Sequence, residues 1–262
     1  MQRAMFIAAT GMEAQRLNID VISHNLANVN TGGFKRGRAD FQDLLYQDIK
    51  APGAIGAGGG EVPVGIQVGL GVKPVAVQKM FKQGDFASTE NPLDMVIEGN
   101  GFFQLTMPDG EIAYTRAGSF KLDSEGRIVN SDGYVMEPAV TIPADTISIT
   151  ISSDGIVSVL QPGNNTPVEI GRIEIAQFIN PAGLKAMGKN LYLPSGSSGE
   201  ATTGTPGTEG LGTINQGFLE LSNVNVVEEM VGMIASQRAY ELNSKVVKTA
   251  DEMLQTANNI IR

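Results

Sequence analysis

The sequence predicts an α+β protein, in which long N- and C-terminal helices form a coiled-coil layer and the middle is mainly antiparallel β, built as β subdomains plus an extended hairpin arm. Three observations predict it. Both ends of the 262-residue chain lack proline, both carry apolar residues at heptad spacing, and the middle, from about Thr31 to Gly217, is punctuated by glycine and proline.

In the first segment Met1, Met5, Ala8, Met12, Gln15, Ile19, Ile22, Leu26 and Val29 follow one another at steps of four and three, a heptad seam with one polar member. It corresponds to a helix of about 38 Å at 1.5 Å per residue. In the last segment Val226, Met233, Tyr240, Val247, Leu254 and Ile261 recur every seventh residue, and the companion row Met230, Gln237, Ser244, Asp251 and Asn258 turns polar. The polar members cost seam stability, and either fix register or face water. A helix of about 54 Å follows, and it needs a partner surface of equal length. Two amphipathic helices packed on their own domain core are the simpler alternative. Against it stands the β character of the middle, so the ends are expected to pair with each other and then with copies from neighbouring chains.

The middle contains the turn dipeptides Asp109-Gly110, Glu125-Gly126, Asp132-Gly133, Asp154-Gly155 and Pro162-Gly163, of which the second and third are read as type I′ or related turns. Between them Ile147, Ile149 and Ile151 alternate with Ser148, Thr150 and Ser152, which predicts a half-buried strand. Phe103, Leu105 and Met107 repeat the pattern, and Ile173 with Ile175 gives a shorter one. Two stretches differ. Residues 194–212 read as a plain exposed loop. Residues 51–60 are glycine-rich and lead into the β-branched run 62–77, which together predict an extended hairpin arm that is ordered against a neighbour. The expected organisation is 1–30 as the N-terminal helix of an inner assembly domain, 31–75 as arm and connector, 76–217 as outer β domain and 218–262 as C-terminal helix.

The chemistry of the residues excludes more than it nominates. A net charge of −9 argues against nucleic acid and anionic lipid as partners. With no cysteine, disulfides, cysteine zinc sites and thiol catalysis are excluded. No run reaches the length of a membrane span, and the apolar stretch Ala4 to Met12 is followed by Glu13 and Arg16 without a cleavage site. The single His24, at the end of the first helix, suits a hydrogen bond or the helix dipole better than a triad. Neither Gly56 to Gly60 nor Gly99-Asn100-Gly101 completes a phosphate loop. The segments beginning at Asp123 and Asn130 lack the closing acid of a calcium loop. Lys35, Arg36 and Arg38, balanced by Asp40 and Asp43, read as a solvated face or an intersubunit salt bridge. No catalytic, metal or cofactor residue is nominated. A secreted β-rich cell-wall-binding protein or hydrolase is the alternative of a different class, and the hydrolase would need a buried acid pair.

Three blocks resemble the axial proteins of the bacterial flagellum, the rod and hook family: SHNLANVNTGGFKR from Ser23, GNGFFQLTMPDGEIAYTRAGSFKLDSEGRIVNSDGYVMEP from Gly99, and GFLELSNVNVVEEMVGMIASQRAYELNSKVVKTADEMLQTANNI from Gly217. Within that family, the length and the segment GIQVGLGV at Gly65 to Val72 are most similar to distal-rod members, with proximal-rod or hook members the nearest alternative. The resemblance implies export without cleavage by the flagellar type III apparatus, and location in a rod that spans the periplasm. It also implies a helical homopolymer whose terminal helices line a hollow tube that transmits torque and carries exported subunits. The implied partners are proximal-rod and hook proteins axially, and P-ring and L-ring bushing proteins around the rod. The expected assembly residues are Met5, Met12, Ile19, Ile22, Leu26, Val226, Met230, Met233, Tyr240, Val247, Leu254 and Ile261. The expected intersubunit arm residues are Ile55, Val62, Val64, Ile66 and Val68.

Overall fold

A computed structural model describes residues 2–50, 64–163 and 166–260. The described residues divide into two compact units, one drawn from 1–26, 37–78 and 225–262 and the other from 27–36 and 79–224.

The first unit holds both helices, α1 (Gln2–Ala27) and α2 (Val226–Ile260). They run antiparallel: Asn25 reaches Glu229, Asn18 Nδ2 donates to Ser236 Oγ at 2.8 Å, and a Cβ on Gly11 would lie 2.8 Å from Asn243 Nδ2. The α2 row that meets α1 is therefore Glu229, Ser236 and Asn243, continued by the buried Ala250. It lies one residue before the polar companion row read from the sequence. Small and hydrogen-bonding side chains build this contact because they let the two backbones approach closely, a signal that a search for apolar heptads passes over.

Another side of α1, along Ile7, Thr10, Ala14 and Val21, faces strands. Here β1 (Gly37–Asp43) pairs with β4 (Val72–Lys79), and β2 (Tyr46–Lys50) pairs antiparallel with β3 (Ile66–Gly69), giving two two-stranded pieces. Thr10 Oγ1 accepts from Val72 N–H, and Val21 lies against Gly37. Ala14, 2% exposed, is the closest-packed residue of this side.

The second unit is all β, and its strands follow in chain order as β5 (Phe86–Ser88), β6 (Met95–Glu98), β7 (Phe102–Thr106), β8 (Ile112–Thr115), β9 (Lys121–Leu122), β10 (Ile128–Val129), β11 (Val135–Glu137), β12 (Ser148–Ile151), β13 (Ile156–Leu160) and β14 (Val168–Arg172). After them come β15 (Ile175–Gln177), β16 (Lys185–Gly188), β17 (Leu191–Leu193), β18 (Thr202–Gly204), β19 (Thr213–Gln216) and β20 (Phe218–Glu220). Strand β7 is the centre. One edge pairs with β8, while the other is shared by β11 and β15. The sheet extends through β17 to β16 on one side and through β10 to β9 on the other. Strands β12, β13 and β14 form a separate meander, and β19 pairs with β6 and β20 with β5.

Alternation along β7 serves two cores at once. Phe103 and Leu105 enter the main core with Met95, Ile128, Met136 and Ile175. Phe102, on the opposite face, joins Tyr114, Phe178 and Tyr192 in edge-on ring contacts, the tightest being Tyr114 to Phe178 at 4.8 Å between centroids. The expected half-buried reading of this strand is thus corrected: it is covered on both faces. In the meander Ile151 is buried and Ile149 half-buried, but Ile147 is 66% exposed because it precedes the strand and lies beyond the core. The segment 194–212 is also more than a loop. Its Thr202–Gly204 strand pairs with β15, and Leu211 enters the main core.

Four hairpins close with one geometry. Met107, Asp123, Asn130 and Ser152 each bond through N–H to the carbonyl four residues on, and each carbonyl accepts from the glycine three residues on. Those glycines, Gly110, Gly126, Gly133 and Gly155, have φ between 76° and 85°. These are three-residue loops ending in a left-handed glycine rather than type I′ turns. A two-residue hairpin turn with consecutive positive φ falls instead at Lys189 and Asn190, directly after Gly188, which also has positive φ.

Replacing these glycines separates conformation from contact. Gly110→Ala meets no atom within 4 Å, so it is expected to cost about 1–2 kcal/mol for the left-handed backbone alone. Gly155→Ala is expected to cost more, since its Cβ would lie 2.4 Å from the Ile173 carbonyl oxygen. Denaturant midpoints of the two variants check the order, and equal midpoints would contradict it.

Candidate assembly interface

Helix α2 is about 52 Å long at 1.5 Å per residue, yet Glu229, Ser236 and Ala250 are its only buried residues among those described. A second row, Val227, Val231, Ile234, Leu242, Val246 and Met253, is exposed, with Val227 71% and Leu242 65% exposed; it runs opposite the contact row from Val227 to Ile234 and comes to lie beside it at Val246 and Met253. Its steps of three, four, seven and eight keep it on one side of the helix. This stripe was legible in the spacing of the sequence, but the heptad through Val226 and Met233 drew attention to the neighbouring row.

The expected assembly residues fall into two groups. On α1, Ile22 is buried and Met5, Met12, Ile19 and Leu26 are half-buried, all on the helix side turned toward the rest of the unit. On α2, Met233 and Val247 are half-buried, while Val226, Met230, Tyr240 and Leu254 are exposed; Ile261 lies outside the described residues. Of the arm residues, Ile55 and Val62 lie outside the described residues. Val64 and Ile66 are exposed at 75% and 52%, and Val68 is half-buried in a cleft with Ile7 and Leu254. The ribbon of β2 and β3 adds exposed Leu45, Tyr46 and Ile49. A two-stranded ribbon with this much uncovered apolar surface is marginal by itself.

The segments that lead out of α1 and into α2 are held, within the second unit, by a buried ion cluster. Glu220, at the end of β20, accepts from Lys35 Nζ at 2.7 Å, from Arg116 Nε at 2.8 Å and from Gly84 N–H at 2.9 Å. Lys35 also donates to the Lys82 carbonyl, and Arg116 donates to the carbonyls of Ile97, Gly99 and Gly101. Every oxygen of the carboxylate and the whole guanidinium fork are therefore engaged. Gly33, with φ 69°, brings the chain in: a Cβ there would lie 2.6 Å from Ala117 N, so only glycine lets this segment reach Glu220 O with its N–H.

This corrects the reading of Lys35, Arg36 and Arg38 as one solvated face. Lys35 is 1% exposed, Arg36 is half-buried, and Arg38 alone is exposed, paired with Asp40. Lys35 is drawn inward by Glu220 and the Lys82 carbonyl, whereas Arg38 lies on β1 and pairs with Asp40 at the surface. Burial pushes the Lys35 ammonium down, further than Glu220 raises it. For Glu220 burial opposes ionisation, but Arg116 and Lys35 together outweigh it and hold the carboxyl below its ordinary 4.5. Burial and the Glu220 charge push the Tyr192 phenol up to about 12.

Among the described residues no helix is long and apolar enough to cross a membrane, and no group of three or more His, Cys, Asp or Glu side chains gathers as for a metal ion.

The family model described as flagella basal body rod protein matches residues 5–35. That of the flagellar hook protein FlgE/F/G D1 domain matches 96–159, and that of the flagellar basal body rod FlgEFG protein C-terminal matches 215–260. The chain is 51% identical over 264 residues to the flagellar basal-body rod protein FlgG of Borreliella burgdorferi, covering all of both chains. The chain belongs to the FlgG family of flagellar basal-body rod proteins. It is also similar to FlgG of Caulobacter vibrioides, at 48% identity over 98% of this chain and 99% of that one, and to FlgG of Bacillus subtilis, at 39% over the whole of both. The matched segments include both helices and the central strands, so the family covers the two units alike. Its members are structural proteins of the rod.

Glu220→Gln is expected to destabilise the chain by about 3–5 kcal/mol, because Lys35 and Arg116 keep their buried charge without a counter-charge. The acid limb follows from the lowered folded pKa. The contribution of Glu220 is complete above its ordinary value and is lost as pH falls through the lower folded value. Urea midpoints at pH 7 and pH 3 should therefore differ more for the parent than for Glu220→Gln. An equal difference in the two proteins would contradict the ion cluster.

Proposed function

We propose that this chain is the repeating subunit of the flagellar distal rod, which polymerises through α1, α2 and the arm into a hollow, stiff helical shaft. The observation that carries the reading is the outer stripe of α2. A helix of 35 residues that presents Val227, Val231, Ile234, Leu242, Val246 and Met253 to solvent has more apolar surface than its own chain covers. Copies of the same chain are the occupants that a rod subunit meets. Heterologous contacts whose rotation does not close then generate a filament rather than a ring.

The arm extends this logic. Exposed Leu45, Tyr46, Ile49, Val64 and Ile66 lie on a ribbon that gains stability when a neighbour covers it, so Ile66 and Val68 with their cross-strand partners bridge subunits along the shaft. Methionines at Met5, Met12, Met230 and Met233 adapt to the slightly different neighbours around a tube. Hook and other rod proteins continue the shaft at its ends, the P-ring and L-ring surround it, and the type III apparatus delivers its subunits. The chemistry of the function is packing: torque passes from subunit to subunit through buried apolar contacts, without turnover of any substrate.

Val231→Asp with Leu242→Asp tests this directly. Both side chains are solvent-exposed in the single chain, so the double variant is expected to keep the helical circular dichroism and melting profile of the parent. Electron microscopy of concentrated protein should show tubes for the parent and none for the variant. Tubes of parental form from the variant would overturn the assignment of this stripe as an assembly surface.

A further inference from the structure

The chain passes between its two units four times, at 26/27, 36/37, 78/79 and 224/225. Each unit closes its side of these crossings with one asparagine. In the second unit Asn223 stands next to the last crossing. Its Oδ1 accepts from Arg36 N–H at 2.7 Å, and its Nδ2 donates to the carbonyls of Met80 and Lys82, both at 2.8 Å. One amide thus joins the segments at the second, third and fourth crossings. Met80 N–H donates to the Arg36 carbonyl, and Lys79 Nζ to the Lys35 carbonyl, which ties the second and third crossings a further time.

In the first unit Asn25 has the same office. It is 1% exposed, its Oδ1 accepts from Gly37 N–H at 2.8 Å, its Nδ2 donates to the Gly37 carbonyl at 2.9 Å, and the same nitrogen reaches Glu229 Oε2 at 3.2 Å. It therefore joins the residues flanking the first, second and fourth crossings. A side-chain amide is suited to this because it offers a donor and an acceptor in one plane, as a peptide group does, and can pair with strand backbone where no strand is available.

We propose that Asn25 and Asn223, with the Glu220 ion cluster behind the latter, are load-transfer clasps that gather separate covalent crossings into one mechanical element. The inference rests on the reading of the chain as a rod subunit, whose covalent crossings bear part of the torque passed along the chain. Without the clasps the crossings stretch one after another, each as a single extended strand. With them, load on one is shared among three, and no segment moves until several hydrogen bonds open together.

The test applies constant force to the full chain between handles at Lys73, in the first unit near the third crossing, and at the exposed Ile179 in the second, and measures the rate of the first opening step. Asn223→Ala removes three hydrogen bonds, each worth roughly a fivefold change, and is expected to raise that rate by about a hundredfold at fixed load. Val159→Ala is the control. This fully buried strand residue destabilises the same unit in denaturant but lies away from the crossings, so the first opening step is expected to keep the parental rate. If Asn223→Ala does not fold, Asn25→Ala, which removes the three hydrogen bonds of the other clasp, is expected to raise the same rate. Parental rates in the asparagine variant, or equal acceleration by Val159→Ala, would overturn the clasp. If the asparagine variant opens faster but the parent forms no tubes, the clasp stands and the rod reading fails.

Discussion

The second unit depends on one carboxylate. Glu220 is buried beside two cations from distant parts of the chain: Lys35 from the segment after α1, and Arg116 from just after β8. Removing charges from water costs several kcal/mol per ion, and only close geometry with complete hydrogen bonding offsets it. That geometry holds three remote segments in register. Arg116 carries it further, since its remaining donors fix the loop between β6 and β7 through the carbonyls of Ile97, Gly99 and Gly101. The position of β7, hence of both aromatic and aliphatic cores, follows from where that loop is held.

The first unit is governed by a different balance. Its helices meet through Ser236, Asn18, Gly11 and Ala250, a contact that is close but small in apolar area. The larger side chains of α2 lie elsewhere on its circumference. Such a helix is locally well specified and globally incomplete, which is the condition expected of a part that is finished by assembly. The two units therefore divide the tasks. One is organised around a large buried apolar core and a buried ion cluster, and the other leaves apolar surface exposed on both α2 and the β2 and β3 ribbon.

Much of this was legible in the sequence. Heptad spacing located both helices, and turn dipeptides located the hairpins, because each depends on neighbours within a few residues. The strands at Phe103 and Ile175 were found for the same reason. What escaped depended on distant partners. Lys35 looked like surface charge, since nothing near it in sequence announces Glu220. The strand at Thr202–Gly204 was hidden because it is recruited by pairing to β15 rather than by its own composition. The α2 row at Glu229, Ser236 and Asn243 was missed because polar and small residues define it. Asn25 and Asn223 stand inside the blocks that carry the family resemblance, but their role depends on which backbone groups they face.

The central claim is that α2 is completed by other copies of the chain. Hydrogen exchange measured across residues 226–257, in dilute single chains and again in assembled tubes, tests it most directly. The expected result is rapid exchange through the Val227, Ile234 and Leu242 region in the single chain and strong protection of the same amides in the tube. Equal protection in the two states would mean that the helix is already complete within one chain, and would contradict the account.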